Sequence, residues 1–505
     1  MKNVRLLLLT FLFIGSFSAF AQWSAPVQIT KGASSDIHSA FVNSEFARGT
    51  WDLGETDEWL AFARLENGHS NICLLSTQLD GIQWGDSVYY VTNDSAMNDF
   101  PSMAREFVGD SSEKMMLVWQ RNAVHSDIYY DYNNGARWLY SSALTHDSVS
   151  DNSPCVAPRD SGFDLTWERA GQIVFSEFRD SVWSPFEQVT HTLMPVNFLP
   201  QVVCINNTPV VVWEQVKEPD TTRAIMYSVR GASGWTAPDT LAWQGDNRNP
   251  SFCKNGLYLS VITWESKRDS DWEIFGTDAE IVGDSLIHHD PGNITNNPSV
   301  DDHQFSGNMT PLVITSSTRS RSQYFYISAA TWHIVSPGGD AIAVAINGED
   351  HPQYFTPAGG SANRNPTISF GVISRNFYEG DDAYHFWSVW ENNSTGTWKL
   401  YGSKMDYVLG VNDAPSIERS FILRQNYPNP FNPATQISYT LSKASNVTLT
   451  IYDILGQRVV TLVNEKNEPG EHSVNWNAQD IPSGVYFYRI VAGNFVQTKK
   501  MVLMK

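Results

Sequence analysis

Five short apolar runs end in tryptophan and are followed at once by an amide or acid: Trp119-Gln120-Arg121, Trp167-Glu168-Arg169, Trp213-Glu214, Trp264-Glu265 and Trp390-Glu391. Two carboxylates flanking a sugar can cleave its glycosidic bond, one as acid and the other as base or nucleophile. Glu168, Glu214 and Glu265 are the catalytic candidates on that reading, with Glu391 as a further copy. Arg121, Arg169 and Arg268 are the ligand-binding candidates, because a guanidinium fork can clamp the carboxylate of an anionic sugar. Recurrence argues against chemistry. A catalytic site needs different groups in different places, so a repeated Glu is better explained as bonding backbone donors or an arginine of the next repeat. The balance leans away from an enzyme.

Other chemistry-bearing stretches are weaker. His288-His289-Asp290 and Asp301-Asp302-His303 carry metal-ligating side chains, but neighbours on a strand point to opposite faces. Glu379, Asp381 and Asp382 offer oxygens to calcium without the alternating aspartates of a loop chelator. No cofactor is expected, with calcium the one ion left open. The polar loops Asn93 to Asp99, His146 to Ser153, Gly245 to Asn249 and Gly359 to Asn365 could line a ligand-binding face.

The elements that position these residues repeat. From Leu199 to Leu241 a Pro opens one apolar run, Val210 to Trp213 makes a second, Ala224 to Val229 a third and Trp235 to Leu241 a fourth. Each is short, rich in β-branched and aromatic residues and bounded by turn formers, so each reads as a strand. Four strands in about 45 residues, recurring, predict propeller blades. The second strand recurs at Leu60 to Phe62, Leu117 to Trp119, Leu165 to Trp167, Val211 to Trp213, Ile262 to Trp264, Val313 to Thr315 and Ser388 to Trp390, with an insertion near Asn347 to Ala362. Tyr324 to Ile327 reads as the sixth third strand. Seven units predict seven blades, with six or eight left open. Trp23 to Thr30 matches the fourth strand at Trp183 to Thr190, so the amino end is expected to complete the last blade and cover its edge.

Composition bounds the rest. The 505 residues are 42% hydrophobic and 17% charged, too long for a single core. A net charge of −20 disfavours nucleic acid and anionic lipid as partners. Met1 to Ala21 has the form of a cleaved secretory signal, and no later stretch is apolar enough to span a bilayer. Cys73, Cys155, Cys204 and Cys253 read as buried thiols, although an oxidising compartment leaves a bridge open.

Residues 411–425 read as a linker. Beyond them short alternating strands at Gln436 to Leu441, Val447 to Tyr452, Arg458 to Val463, His472 to Trp476, Val485 to Val491 and Phe495 to Leu503 predict a small β-sandwich. NYPNPFNPAT from Asn426, VTLTIYDILGQRV, Trp476-Asn477, SGVYFYRI and the basic closing strand resemble the type A C-terminal sorting domain of the type IX secretion system. That resemblance, over residues 426–505, implies an immunoglobulin-like sandwich and a sorting signal that includes Pro428, Pro430, Asp453, Gly456, Gly484, Tyr486, Lys499 and Lys500. It also implies passage through the periplasm, recognition by the secretion machinery and a sortase, and release or attachment to surface lipopolysaccharide.

The repeats at 22–410 resemble sialidase-like propellers more loosely. Their Asp-box turn keeps its Gly and Trp at Gly81 and Trp84, Gly135 and Trp138, and Gly231 and Trp235, but not its Ser and Asp. The nucleophilic Tyr with a Glu partner that a sialidase requires cannot be singled out among 20 Tyr. The chain thus reads as an all-β protein: a seven-bladed propeller followed by an immunoglobulin-like sandwich. It is expected at the cell surface or secreted, binding a glycan, a peptide or a surface protein. A sialidase-like glycoside hydrolase on the same scaffold is the alternative.

Overall fold

The structure is a computed structural model describing residues 23–503 apart from 42, 45–57, 79–82, 86, 109–111, 136, 140, 192–195, 220, 254–259, 269, 296–299, 315–322, 337–339, 347–352, 356–361, 375–381, 410–421, 424–425, 427–430, 442–444, 454–456, 469, 480 and 493–494. The described residues are strands and turns. None forms a helix, so none offers a helix long and apolar enough to cross a membrane. The proposed signal, much of the linker, Pro428, Pro430 and Gly456 lie outside the described residues. The chain divides into two compact units at Leu409 and Gly410.

In the first unit one arrangement recurs. Asp151–Arg159, Gly162–Arg169, Gln172–Arg179 and Val182–Trp183 are successive antiparallel neighbours, and Glu187–Gln188 returns to the third strand. The order repeats in Asn197–Ile205, Thr208–Val216, Arg223–Gly231 and Gly234–Trp235. It repeats in Asp246–Cys253, Ser260–Lys267, Trp272–Val282 and Ser285–His288. Upstream, the strands Ser35–Phe41, Trp59–Glu66 and His69–Gln78 make one meander. Met97–Val108, Ser112–Asn122, Ser126–Asn133 and Ser142–Ala143 make the next, joined to it by a parallel bridge at Ser70 and Met97. The last meander is Asn363–Ser374, Asp382–Asn392 and Lys399–Leu409. Its fourth neighbour is Val27–Gln28, with Val27 opposite Gly402 and Gln28 opposite Tyr401.

The second strands read as unbroken apolar runs because both of their faces are covered. Val210 and Val212 pack with Ile262 and Trp264 of the following sheet, while Val211 and Trp213 pack with Cys155, Ile173 and Phe175 of the preceding one. Fully burying each such side chain stabilises the fold by about 1.5–3 kcal/mol. The same sharing joins the ends of the unit: Ile29, Trp387, Val389 and Leu400 form one cluster with Leu60, Phe62 and Cys73. Cys73, Cys155 and Cys204 are buried thiols, and burial pushes that of Cys73 up to about 12.

Outer strands are short, and threonine fastens them. Thr145, Thr190 and Thr295 accept the third-strand N–H of Ile128, Ile173 and Ile274 at 2.9, 2.9 and 3.1 Å. Thr30 accepts that of Leu400 at 3.0 Å in the same way. Gly276 and Gly402 sit two residues past Ile274 and Leu400. There a Cβ would stand 2.9 and 2.8 Å from the Cδ1 of Ile294 and Ile29, the residues just before the two threonines, so a larger residue would have to push these side chains aside.

The sixth repeat departs from the sequence reading. Val313 and Ile314 end the first strand, Asp301–Ile314, and Tyr324 to Ile327 belong to the second, Gln323–Val335, which carries Trp332. The third strand is Ala341–Ile346, and the supposed insertion contains the fourth, Gln353–Phe355. The first two strands run to 14 and 13 residues. A spacing taken from shorter repeats therefore lands one strand too early.

In the second unit, Ile422–Leu423, Ala434–Leu441 and Gly470–Asn477 form one sheet. Arg458–Asn467, Ser445–Tyr452, Gly484–Ala492 and Phe495–Leu503 form the other. Phe431, Ile437, Val447, Leu449, Trp476, Tyr488, Ile490 and Met501 fill one core.

Three residues past Ile173, Ile225 and Leu400, Ser176, Ser228 and Ser403 donate to the carbonyls of Ser184, Thr236 and Ser24, beside the outer strands. Asp131 holds that place in the second meander, with Oδ1 buried and unpartnered. Burial pushes its carboxyl up to about 6, against the N–H groups of Tyr132 and Leu139. A folded pKa above the unfolded one means stability present below about pH 4 and lost as pH rises through about 6. Asp131→Ser is therefore expected to raise urea-unfolding stability by about 1–2 kcal/mol at pH 8 and by less near pH 4. A difference independent of pH would contradict this.

Candidate functional site

Every described inner strand of the first unit breaks register near its start, and the last breaks again between Val372 and Ser374. The breaks near the start fall between Ile37 and Ala40, Asp99 and Ser102, Asn152 and Cys155, Phe198 and Gln201, Arg248 and Ser251, His303 and Ser306, and Arg364 and Thr367. Six of these bulges hold a residue with left-handed backbone: His38, Phe100, Ser153, Leu199, Asn249 and Asn365, with φ from 48° to 52°. Five of the six precede Pro. These prolines therefore do not open their strands, which begin three or four residues earlier. Pro lacks an N–H and is tolerated where the ladder is interrupted. The residue before it is left with an N–H outside the ladder, which must be satisfied elsewhere.

The residues after the second-strand tryptophans supply the acceptor. Gln120 Oε1 accepts from the Ser153 N–H at 3.0 Å, Glu214 Oε1 from Asn249 at 2.6 Å and Glu391 Oε1 from His38 at 2.8 Å. Each bond runs from one sheet to the bulge of another: forward in the first two, and from the last meander to the first in the third. Glu265 accepts from Asn249 Nδ2 at 2.7 Å and lies 2.8 Å from His303 Nδ1, so Glu214 and Glu265 meet at Asn249. The arginines that join these acids, Arg223 on Glu214 and Arg364 on Glu391, come from the same sheet as the acid and not from the next. Glu214, Glu265 and Glu391 are buried. Burial raises the Glu214 pKa despite the Asn249 N–H and Arg223. Glu168 differs: it is half-buried, is raised by burial alone and has no hydrogen-bond partner among the described residues.

The three candidate arginines are not brought to one carboxylate. Arg121 pairs with Asp94 at 3.1 Å and lies over Tyr129; Arg169 pairs with Asp151 at 2.6 Å and with Asp147, and lies over Phe186. Arg268 lies 3.9 Å over Phe275 with no ion pair among the described residues. The metal-like stretches disperse as well. His289 pairs with Asp278 and His288 lies against Tyr227, while Asp301 accepts the Trp272 N–H, Asp302 the Trp332 indole, and His303 pairs with Glu265. The described residues contain no group of three potential ligands. Glu379 and Asp381 lie outside them.

One repeated residue escaped the sequence reading. Asp36, Asn98, Asp151, Asn197, Asn247, Asp302 and Asn363 are all buried, near the start of the inner strand. Asn98, Asp151, Asn197 and Asp302 accept the indole N–H of the tryptophan in their own sheet at 2.7–3.2 Å. Asn98, Asn197 and Asn247 also donate to carbonyls at the turn of the preceding sheet. The signal was Asx-x-x-Pro, present in NDFP, DNSP, NFLP and, twice, NRNP.

In the second unit Asp453 accepts the Gln457 N–H across its turn at 2.9 Å, and buried Tyr486 donates to the Pro482 carbonyl at 2.8 Å. Gly484 opens the strand that Tyr486 belongs to. Lys499 and Lys500 stand on the final strand opposite Tyr488 and Phe487.

Among curated proteins none matches the chain. Solved structures resemble it distantly. PorZ, a surface component of the type IX secretion system of Porphyromonas gingivalis, is 11% identical at a TM-score of 0.34, covering 91% of this chain, which spans 59% of that one. A neuraminidase-like protein of subtype N10 from A/little yellow-shouldered bat/Guatemala is 10% identical at 0.34, covering 62% and 96%. The endo-arabinase of Bacteroides thetaiotaomicron is 16% identical at 0.30, covering 45% and 89%. Scores this low decide nothing about this chain's chemistry. Residues 425–504 match the family described as the secretion system C-terminal sorting domain. The carboxyl-terminal unit is thus a type IX secretion sorting domain, and the chain that carries it is an exported protein.

Proposed function

We propose that residues 22–410 form a closed seven-bladed β-propeller that binds a glycan, a peptide or a surface protein at the cell surface or in the medium. Residues 1–21 are its signal peptide, 411–425 its linker and 426–505 an immunoglobulin-like sorting sandwich read by the secretion machinery and its sortase. Closure is supported by the pairing of Val27–Gln28 with Lys399–Leu409 and by the cluster shared between the first and last meanders. One observation carries the binding reading over catalysis: Glu214, Glu265 and Glu391 are buried and already committed to bulge N–H groups, side-chain amides or cations. A glycosidase needs two carboxylates facing its substrate. Glu168, without a hydrogen-bond partner among the described residues and with its pKa raised by burial, favours the second reading, a sialidase-like hydrolase, in which it would act as the general acid.

Two measurements test these readings. Removing a buried acid strands the bulge N–H and any arginine beside it. Glu214→Ala and Glu391→Ala are therefore expected to cost about 3–5 kcal/mol in urea unfolding, and Glu168→Ala under about 1 kcal/mol. Equal costs, or hydrolysis of aryl glycosides that Glu168→Gln abolishes, would favour the enzyme. For export, a periplasmic reporter fused to residues 411–505 is expected in the medium or on the surface of a host with the type IX system. Retention in the periplasm would refute the sorting role.

A further inference from the structure

The repeat loses its regularity at the bulge residues, and the departure is largest where the last and first meanders meet. Glu391 there collects the His38 N–H, Arg364 Nε at 2.8 Å and Asn365 Nδ2 at 2.7 Å. The two Nη nitrogens of Arg364 are left without a protein partner among the described residues. Its guanidinium lies 3.8 Å over Trp398, and its side chain is 37% exposed. Stacking on an aromatic ring fixes the plane of the fork while leaving its end open to a ligand.

Beside it, His38 Nδ1 lies 2.6 Å from Asp99 Oδ1, and the imidazole stacks on Phe100 with ring centroids 4.6 Å apart and planes 16° from parallel. Phe100 is 45% exposed even though it sits on an inner strand. Its backbone is left-handed at φ 50°, which costs a bulky residue roughly 1–2 kcal/mol. The second strand of the first meander has Ala63 at the place held by Gln120, Glu214 and Glu391 elsewhere, and the Phe100 N–H turns to its own Asp99 at 2.9 Å. Among the described residues Phe100 is thus a half-exposed aromatic in a left-handed bulge, with one ring contact, to His38, and a backbone N–H that no other sheet accepts.

We propose that Arg364, His38, Phe100 and Asp99 form a binding site for a carboxylated sugar, a uronate unit within a glycan. This deepens the binding reading above and rests on its closed ring. The open end of Arg364 takes the carboxylate in two parallel hydrogen bonds, assisted by His38. The apolar C–H face of the pyranose lies on Phe100, and Asp99 accepts a ring hydroxyl. The net charge of −20 disfavours a dense polyanion, so the acidic unit belongs among neutral sugars. At physiological salt, charges beyond about 8 Å are screened, and the adjacent guanidinium governs.

Calorimetric titration of the full chain lacking residues 1–21 tests this. The probes are a glucuronate-terminated oligosaccharide, the same oligosaccharide ending in glucose, and a peptide with a free carboxyl terminus. The uronate glycan is expected to bind at least about tenfold more tightly than the neutral one. Phe100→Ala, which removes the half-exposed ring and its stack on His38, is expected to weaken uronate binding about tenfold. Arg364→Gln is expected to erase the acid-over-neutral preference. Binding of the peptide in place of the uronate glycan, or uronate binding that Phe100→Ala leaves untouched, would overturn the proposal. If the neutral glycan or peptide binds and Phe100→Ala has no effect, this site fails while the binding-module reading stands. If no probe binds and a wider glycan array is also blank, both fail.

Discussion

A backbone N–H that an inner strand cannot satisfy within its own ladder shapes much of this molecule. The bulge that frees it needs a left-handed residue, and Pro follows in most copies because a ladder donor is no longer wanted. An unpaired N–H in a buried place costs about 1–3 kcal/mol, so an acceptor must reach it from outside the strand. The acceptor is the Gln or Glu one residue past the tryptophan of another sheet. The buried Asx two residues before the bulge ties the same strand to its own tryptophan and to the preceding turn. Sheet is thus joined to sheet by polar bonds beside an apolar interface, and Glu214 and Glu391, which look catalytic in the sequence, act as clasps.

That division of labour separates what repeats from what can recognise. Residues that repeat around the proposed ring hold it together. Those that differ from sheet to sheet, such as His38, Phe100, Ser153 and Leu199, stand at the bulges themselves. The Arg–aromatic stacks at Arg223 on Phe198, Arg248 on Trp272 and Arg364 on Trp398 place planar cations on that same side of the strands. Each of the three has an acid beside it that holds the side chain, and each guanidinium side chain stays partly exposed.

The strand pattern was legible wherever both faces of a strand are buried, because an unbroken apolar run ending in Trp leaves a strong trace. The match between Trp23 to Thr30 and Trp183 to Thr190 was legible for a different reason: the same Ile or Val before Thr fills the same space against the third strand. The sixth repeat was misread because its first two strands are long, and a fixed period placed Val313 one strand too far along. The Pro was read as a strand start since Pro usually interrupts pairing, and a bulge inside a strand satisfies the same constraint. The partners of Glu214 and Glu391 could not be read at all. They lie 35 residues ahead in one case and 353 back in the other, and only the packing of whole sheets brings them together.

The proposed ring stands or falls on the chain's amino end completing the final sheet. Gln28 and Tyr401 are opposite each other in that pairing, with Gln28 Oε1 3.2 Å from the Tyr401 hydroxyl, on one face. Cα atoms facing each other across antiparallel strands lie about 4.5–5.5 Å apart, within reach of a disulfide. Mild oxidation of the Gln28→Cys, Tyr401→Cys double variant should link the two positions within one monomer, read as a joined peptide by mass spectrometry. Thiols that stay free at 28 and 401, or a link formed only between two chains, would contradict the account.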